Sequence, residues 1–275
     1  MVERPLIESE ASSMKISINC PSYKRPKVET LDYLPFCKVW VDHKEYDDYI
    51  KANPGFEKNI ISCPEGIQGN VSRIRNYILD QEFNNGADVV CIVDDDIKGI
   101  YRYIGPKEMP YEKKLITAEE FEDFIEHFTI VCDEMGFKLW GVNLNQDALS
   151  YRQYTPFSTV SVILGPFSCH LKGSEIRYDE ALPLKEDYDL AIQHLMKYRG
   201  VLRVNFCFYD CKQSKQAGGC ATYRNYEREK SQLELLQKKW GSKIVKIDNA
   251  ENQNQKKKKV NIDYNPIIHI PIKGV

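Results

Sequence analysis

The sequence predicts an α/β fold in which helices flank a mostly parallel central sheet. Two observations lead to this prediction. Short β-branched segments alternate with amphipathic helical segments over about the first 100 residues, as in parallel strands joined by crossover helices. Residues 88–93 (DVVCIV) are also apolar without a break after Asp88, which is typical of a strand buried on both faces of a parallel sheet.

The strands are predicted where β-branched or apolar residues cluster between turn-forming residues. The first strand ends at Pro21 and Ser22, and the fourth ends at three consecutive aspartates. Proline and serine favour turns, which supports a strand end at that point. The predicted strands cover residues 15–21, 38–42, 59–63, 88–93, 137–142, 158–164 and 201–209.

The helices are predicted where apolar residues recur every three or four positions and a turn residue follows. Val71, Ile74 and Ile78 show this spacing, and Gly86 follows them as a stop. Thr117 is a good N-cap for a helix with acidic residues in its first turn, where the helix dipole favours them. The predicted helices cover residues 44–53, 69–83, 117–135, 188–198 and 224–239.

The composition is that of a globular protein and excludes several classes. Of 275 residues, 42% are hydrophobic and 28% are charged, which argues against a disordered chain or a collagen-like repeat. No apolar run approaches the ~20 residues of a membrane span, so no membrane partner is expected. Residues 1–14 are polar and acidic, and we predict a disordered lead there rather than a signal peptide.

The nine cysteines are scattered along the chain, and none lies in a CxxC pair. This spacing fits neither a zinc site nor the disulfide framework of a secreted protein. We therefore expect free thiols and a reducing, cytoplasmic location.

The charge is distributed unevenly, although the formal net charge is only −2. Residues 1–198 carry a net charge of −11, whereas residues 199–275 carry +9. A basic segment of this kind suits contact with a polyanion such as DNA or RNA. A solvated surface with a lysine-rich loop at residues 256–259 is the alternative explanation.

Three consecutive aspartates, Asp94, Asp95 and Asp96, follow the predicted buried strand. Adjacent carboxylates repel one another, so a purely structural role is costly without compensation. Ligands of open α/β sheets bind at the carboxyl ends of the strands, and Mg²⁺ binds through one or two carboxylates together with substrate phosphates. The motif therefore predicts a site for a divalent cation and a diphosphate, with an acidic turn as the alternative.

The segment GNVSRIRNYILDQEFNNGADVVCIVDDD, residues 69–96, resembles part of the GT-A nucleotide-diphospho-sugar transferases. It matches the stretch that runs from an Arg-Asn helix to the DxD motif. The resemblance implies a GT-A-type fold, a UDP-sugar donor, and Mn²⁺ or Mg²⁺ bound by Asp96 and Asp94. The donor-binding residues that it implies are Pro21, Ser22, Tyr23, Arg25, Asp42, Arg73, Asn76, Asp94 and Asp95.

A second acidic motif, LKEDYDL, occupies residues 184–190. It resembles the Glu-Asp motif that opens the acceptor-side helix of inverting GT-A enzymes. The resemblance implies that Asp187 is the general base for the acceptor hydroxyl, that Glu186 supports it, and that the reaction is inverting. Because a helix N-terminus also stabilises carboxylates through its dipole, plain helix capping is the alternative.

A Gly-Gly loop with flanking lysine and arginine residues precedes the last predicted helix. Such a loop can fold over a phosphate or a polyanion, and a flexible turn is the alternative. With PSYKRP, DDD, KEDYDL and the helix ending in KKWG, it makes residues 15–246 similar to the phage TET-associated glycosyltransferases. We assign contact with DNA to Lys212, Lys215, Gly218, Gly219, Arg224 and Arg228.

That family transfers sugars from UDP-sugars to the hydroxymethyl group of 5-hydroxymethylcytosine in DNA. The resemblance therefore implies a metal-dependent glycosyltransferase that acts on 5-hydroxymethylcytosine, or another 5-hydroxymethylpyrimidine, in double-stranded phage DNA in the host cytoplasm. It implies one catalytic domain over residues 15–246, with a donor half at 15–105 and an acceptor half at 106–246. A basic tail at 247–275 follows.

His269 is a candidate metal ligand, because no other histidine follows residue 194. An isolated histidine in an apolar strand is more often structural. Three other functions stay open: a GT-A transferase with a carbohydrate or protein acceptor, a non-catalytic DNA-binding protein, and a nucleotidyltransferase. The last of these lacks support, because no Gly-rich signature occurs near the N-terminus.

Overall fold

The computed structural model describes residues 13–104, 112–144, 155–211, 219–247 and 266–269. Strands and helices alternate through its first half, as predicted. The helices are α1 (Thr30–Tyr33), α2 (Tyr46–Ala52), α3 (Val71–Asn84), α4 (Phe121–Glu134), α5 (Glu186–Tyr198) and α6 (Tyr226–Trp240). The strands are β1 (Ile16–Pro21), β2 (Lys38–Asp42), β3 (Ile60–Cys63), β4 (Val89–Val93), β5 (Ile97–Ile104), β6 (Glu112–Leu115), β7 (Leu139–Asn143), β8 (Phe157–Ser158), β9 (Phe167–Leu171), β10 (Leu202–Cys211), β11 (Val245–Ile247) and β12 (Pro266–Ile268).

Within the described ranges, ten strands form one sheet in the order β3-β2-β1-β4-β9-β7-β10-β5-β6, with β8 beside β10. The pairs β1–β2, β1–β4, β2–β3 and β7–β10 are parallel. The remaining pairs of this sheet are antiparallel, because β9 is inserted between β4 and β7 and because β5, β6 and β8 join as antiparallel neighbours. The fold is therefore mixed α/β, and the predicted parallel pairing holds for β3-β2-β1-β4 and for β7–β10.

Both faces of the sheet are covered, which explains the apolar run in β4. Val89, Cys91 and Val93 belong to one core cluster, whereas Val90 and Ile92 belong to a second. Since alternate residues of a strand point to opposite faces, the two clusters lie on opposite sides of the sheet. All five side chains are fully buried.

Helix α3 covers the second face and begins at a good N-cap. The side chain of Asn70 accepts hydrogen bonds from the backbone N–H groups of Ser72 and Arg73, which satisfies two of the free donors at a helix start. Ile74 and Ile78 then pack in the cluster that contains Val90 and Ile92. This packing fixes α3 against β4 and holds its N-terminal end beside the carboxyl end of the sheet.

The predicted strand at residues 158–164 is wrong beyond its first residue, because only Phe157–Ser158 form β8. Strand β8 pairs with Arg203 and Val204 of β10, and β10 begins at Leu202. The backbone hydrogen bond from Val201 to Thr159 is the next one along. Beyond it, β10 offers no further partner, so residues 160–164 cannot continue as a strand.

The structure also contains elements that the sequence pattern did not predict, namely α1, β5, β6, β9 and β11. Strand β12 lies in the predicted tail and pairs with β11, which ends the predicted catalytic domain. Among the described residues, no helix is both long and apolar enough to cross a membrane.

Candidate active site

A cavity of about 440 Å³ lies at the carboxyl ends of β1 and β4. Strands β2 and β3 lie on one side of β1 and β4 lies on the other, so the cavity occupies the switch point at which doubly wound sheets bind ligands. It brings together four sequence motifs that are far apart in the chain. The predicted site residues that line it are Pro21, Ser22, Tyr23, Arg25, Asp94, Asp95, Asp96, Glu186, Asp187, Gly219 and Arg224.

The three aspartates after β4 have different environments. Asp95 is 5% exposed, accepts a hydrogen bond from Ser22 Oγ (2.5 Å) and pairs with Arg25. Asp94 pairs with Arg75 Nη2 (3.1 Å) and keeps about a third of its side chain exposed. Asp96 also lines the cavity, and no side chain that the structure describes donates a hydrogen bond to it. Asp95 is thus bound within the protein, while Asp94 and Asp96 are available to a ligand.

Burial and mutual repulsion raise the pKa of two of these carboxyl groups, Asp95 and Asp96. Burial raises the pKa of Asp95 to about 6, although Arg25 opposes the shift. Burial, followed by the negative charges of Asp94 and Asp95, raises the pKa of Asp96 to about 7. A cation in the cavity removes this repulsion, because it favours the ionised carboxylates.

The raised pKa of Asp96 predicts a pH-dependent stability difference. The folded chain binds this proton more tightly than the unfolded chain, so the stabilisation is complete below about pH 4 and is lost as the pH rises through about 7. As the pH rises from 5 to 8, we expect the stability of Asp96→Asn relative to the wild type to increase by on the order of 1–3 kcal/mol. Urea unfolding of both proteins at the two pH values, without added metal, measures the difference. The same difference at both pH values would contradict the assignment.

Arg75 connects the aspartates to the start of α5. Its guanidinium is 3% exposed, and it bonds to Asp94 Oδ1 (3.1 Å), Glu186 Oε1 (3.0 Å) and the carbonyl oxygen of Gly165 (3.1 Å). Three separate segments therefore converge on one buried cation. A planar guanidinium suits this role, because it presents several donors in a fixed geometry.

The resemblance implied Arg73 and Asn76 on this helix as donor-binding residues and did not indicate Arg75. The signal was present, since Arg75 lies four residues after Val71 and three before Ile78, on the apolar stripe that faces the sheet. A charged residue in such a stripe is buried and needs partners. The periodicity used to predict the helix therefore also indicated which arginine points inward.

Glu186 and Asp187 begin α5 and face the cavity. Asp187 Oδ2 accepts a hydrogen bond from the backbone N–H of Gly165 (3.2 Å), and Oδ1 accepts one from that of Tyr188 (2.9 Å). Burial raises the pKa of Asp187, although Arg75 opposes the shift. Burial, followed by the charge of Asp187, also raises the pKa of Glu186. A carboxylate with a raised pKa is a better proton acceptor near neutral pH.

The Gly-Gly loop is described only from its second glycine onward. Gly219 donates a backbone hydrogen bond to the carbonyl oxygen of Tyr23 (2.8 Å), which places Gly219 beside the end of β1. Arg224 lines the cavity, and its Nε pairs with Glu229 Oε1 (3.0 Å). Arg228 is exposed and donates to the carbonyl oxygen of Tyr223 (3.1 Å). The predicted DNA contacts Lys212, Lys215 and Gly218 lie outside the described residues.

Besides Arg228, four predicted site residues that the structure describes do not line the cavity. Asp42 accepts a hydrogen bond from Lys44 N (2.9 Å) at the end of β2. Arg73 pairs with Glu180 (3.0 Å) at the surface, and Asn76 exchanges two hydrogen bonds with the backbone of Tyr178 (both 2.8 Å). His269 is exposed beyond β12, where its N–H donates to Ile244.

The residues present fit one mode of cation binding. Among the described residues, no three His, Cys, Asp or Glu side chains are grouped so as to hold a metal ion. Asp94 and Asp96 nevertheless offer two carboxylates in one cavity. Mg²⁺ is commonly held by one or two carboxylates, with substrate phosphates and water completing the coordination. The pair therefore fits a cation that binds together with a phosphorylated ligand.

Comparisons with known proteins give remote likenesses. No protein-family model matches the chain, and no curated protein matches it. Among solved structures, A197 from STIV has a TM-score of 0.39 and 12% identity, over 72% of this chain and 86% of A197. TarS from S. aureus has a TM-score of 0.40 and 16% identity, over 71% of this chain and 36% of TarS.

Proposed function

We propose that the protein is a glycosyltransferase that binds a UDP-sugar with a divalent cation and transfers the sugar to a hydroxyl group. One observation carries the proposal. The cavity at the switch point contains two carboxylate sets, Asp94 with Asp96 and Glu186 with Asp187, and Arg75 joins them. The first set suits a cation and a diphosphate, and the second suits a proton acceptor.

Asp94 and Asp96 would hold the Mn²⁺ or Mg²⁺ ion, which neutralises charge on the leaving diphosphate when bound. Asp187 accepts the proton of the acceptor hydroxyl while the oxygen of that hydroxyl attacks the anomeric carbon. The bond between that carbon and the diphosphate oxygen breaks, and UDP leaves with the electron pair. The hydrogen bonds from Gly165 and Tyr188 fix the Asp187 carboxylate for this task.

We propose 5-hydroxymethylcytosine, or another 5-hydroxymethylpyrimidine, in double-stranded DNA as the acceptor. Two features of the sequence support this choice: the ordered motifs shared with the phage glycosyltransferases, and the net charge of +9 over residues 199–275. A substituent at position 5 of a pyrimidine projects into the major groove. A basic surface beside the cavity would hold the duplex through its phosphates.

A transfer assay tests the proposed reaction. The full chain is incubated with Mn²⁺, a panel of UDP-sugars and duplex DNA that contains either cytosine or 5-hydroxymethylcytosine, and the digested nucleosides are analysed by mass. We expect a hexose-sized mass increase on the hydroxymethylated DNA alone. Release of UDP without a DNA product would reject the DNA acceptor and favour a carbohydrate or protein acceptor. The absence of both a DNA product and UDP release would favour a non-catalytic DNA-binding protein.

DNA binding by the basic segment predicts a weaker salt dependence after charge reversal. We expect the triple variant Lys212→Glu, Lys215→Glu and Arg228→Glu to bind duplex DNA more weakly, with the slope of log K against log salt reduced by roughly one for each phosphate that the variant no longer binds. Arg224 is left unchanged because it pairs with Glu229. The control variant reverses the exposed residues Lys44, Lys51 and Lys58. Equal effects of both variants would contradict a DNA-binding role for the loop.

A further inference from the structure

The cavity has an end at β1 and β2 that lies away from Asp187. Gln68 lines this end, and its Nε2 donates hydrogen bonds to the carbonyl oxygens of Ser22 (3.1 Å) and Trp40 (2.9 Å). Ser22 follows β1, and Trp40 belongs to β2. Asp187 bonds to Gly165, next to the loop that leads into β9. The sheet order places β4 and its aspartates between these two ends.

The two hydrogen bonds determine the orientation of the Gln68 amide. An amide nitrogen has two donors, and here both are used. Exchanging the nitrogen and oxygen would place Oε1 against two carbonyl oxygens, so the network excludes the flipped orientation. Gln68 therefore presents a hydrogen-bond acceptor with a fixed position.

The Oε1 atom of Gln68 is available to a ligand. Gln68 lines the cavity. Within the described part of the chain, no residue donates a hydrogen bond to Oε1. This oxygen is also not among the fully buried polar atoms that lack a hydrogen-bond partner. The neighbouring polar groups are already bonded. The Ser22 hydroxyl donates to Asp95 (2.5 Å) and lies 2.8 Å from the Tyr49 hydroxyl, and Arg25 pairs with Asp95.

An aromatic ring accompanies this acceptor. Tyr23 lines the cavity, and its hydroxyl lies 3.8 Å from the position that a Cβ atom would take at Gly69, the residue after Gln68. Gly69 has a φ of +90°, a conformation that glycine adopts without strain. A flat ring beside a fixed acceptor is the combination that proteins use to stack a nucleobase and read its edge.

We propose that Gln68 Oε1 accepts a hydrogen bond from the imide N–H of the donor's nucleobase, which makes Gln68 a specificity-determining residue. The assignment rests on the proposed function, because it takes the ligand to be a nucleoside diphosphate. Uracil carries the required donor at N3. Loss of the donor leaves a desolvated acceptor unpaired, which we expect to weaken binding by roughly tenfold or more.

A binding cycle tests this assignment with UDP and 3-methyl-UDP, in which a methyl group replaces the N3 hydrogen. Calorimetric titrations in Mn²⁺ compare the wild type, Gln68→Ala, and the control Gln81→Ala on α3. We expect the wild type and Gln81→Ala to prefer UDP by roughly tenfold or more, and Gln68→Ala to bind both within about threefold. A purely structural role of Gln68 would weaken both ligands equally and preserve the preference.

The outcomes separate this assignment from the proposed function. A wild type that binds UDP and 3-methyl-UDP equally would overturn the role of Gln68 and leave the donor site intact. A preference that survives in Gln68→Ala would also overturn it. Absence of UDP binding to the wild type would overturn the proposed function together with the assignment. If Gln68→Ala does not fold, Gln68→Met supplies the same comparison with a side chain of similar length.

Discussion

Asp187→Asn is expected to lower the rate of sugar transfer by about 10²- to 10⁴-fold, which is the usual contribution of a general base. Asparagine keeps the size of the side chain and one acceptor oxygen, but it cannot take the proton from the acceptor hydroxyl. The variant should still bind UDP with Mn²⁺, because Asp187 belongs to the carboxylate set on the α5 side of the cavity.

The measurement is the single-turnover rate with whichever UDP-sugar the wild type uses, together with calorimetric binding of UDP. Asp123→Asn, an exposed position on α4, controls for the chemical change alone and should retain the wild-type rate. A transfer rate within threefold of the wild type would exclude Asp187 as the base. A lost rate with equally lost UDP binding would indicate a structural role instead.

Arg75→Met is expected to produce the largest loss of stability in the site, about 3–5 kcal/mol, because it leaves buried carboxylates without their cation. Arg75 and Glu186 are both largely buried, and their guanidinium and carboxylate atoms lie 3.0 Å apart. For a chain of this size, the loss corresponds to a decrease in Tm of roughly 6–20 °C. Urea and thermal unfolding measure it directly.

Arg73→Met provides a matched control two residues away on the same helix. Arg73 pairs with Glu180 at the surface, where both side chains are at least 40% exposed, and such pairs contribute about 0–1 kcal/mol. The double variant Arg75→Met, Glu186→Gln should recover part of the lost stability, since one unpaired charge is then absent. Equal losses for Arg75→Met and Arg73→Met would contradict the central position of Arg75.

Much of the first half of the fold could be predicted from local patterns. The apolar run of β4 indicated a strand covered on both faces, and residues 89–93 are fully buried on both sides of the sheet. The position of the aspartates followed from the rule that ligands bind beyond the carboxyl ends of strands. These features depend on periodicity and on neighbouring residues, which the sequence displays directly.

The missed features depend on long-range pairing. Strand β9 (FSCHL) contains the buried polar residues Ser168 and His170, which bond to each other (3.1 Å). The Tyr178 hydroxyl lies 3.2 Å from the same histidine nitrogen. Nothing in five residues of mixed polarity predicts an antiparallel strand between two parallel ones. Gln68 was missed for the same reason, because its role follows from two carbonyl oxygens on distant segments.

The position of Asp42 depends on the turn that follows its strand. The structure confirms β2 at Lys38–Asp42, and its last residue was predicted to bind the donor. The chain turns immediately after this strand, and the Asp42 carboxylate accepts the backbone N–H of Lys44 instead of facing the cavity. Gln68, which donates a hydrogen bond to the carbonyl oxygen of Trp40 in the same strand, lines the cavity.

In the proposed function, Asp94 and Asp96 would hold a divalent cation together with the diphosphate of a nucleotide. This is tested by calorimetric titration of UDP into the wild type and into Asp96→Asn, each with Mn²⁺ and with the metal removed by chelation. We expect tight binding only for the wild type with Mn²⁺, and at least about tenfold weaker binding in the other three experiments, since losing a direct ligand should cost no less than losing a supporting one. UDP affinity that depends neither on Mn²⁺ nor on Asp96 would contradict the claim.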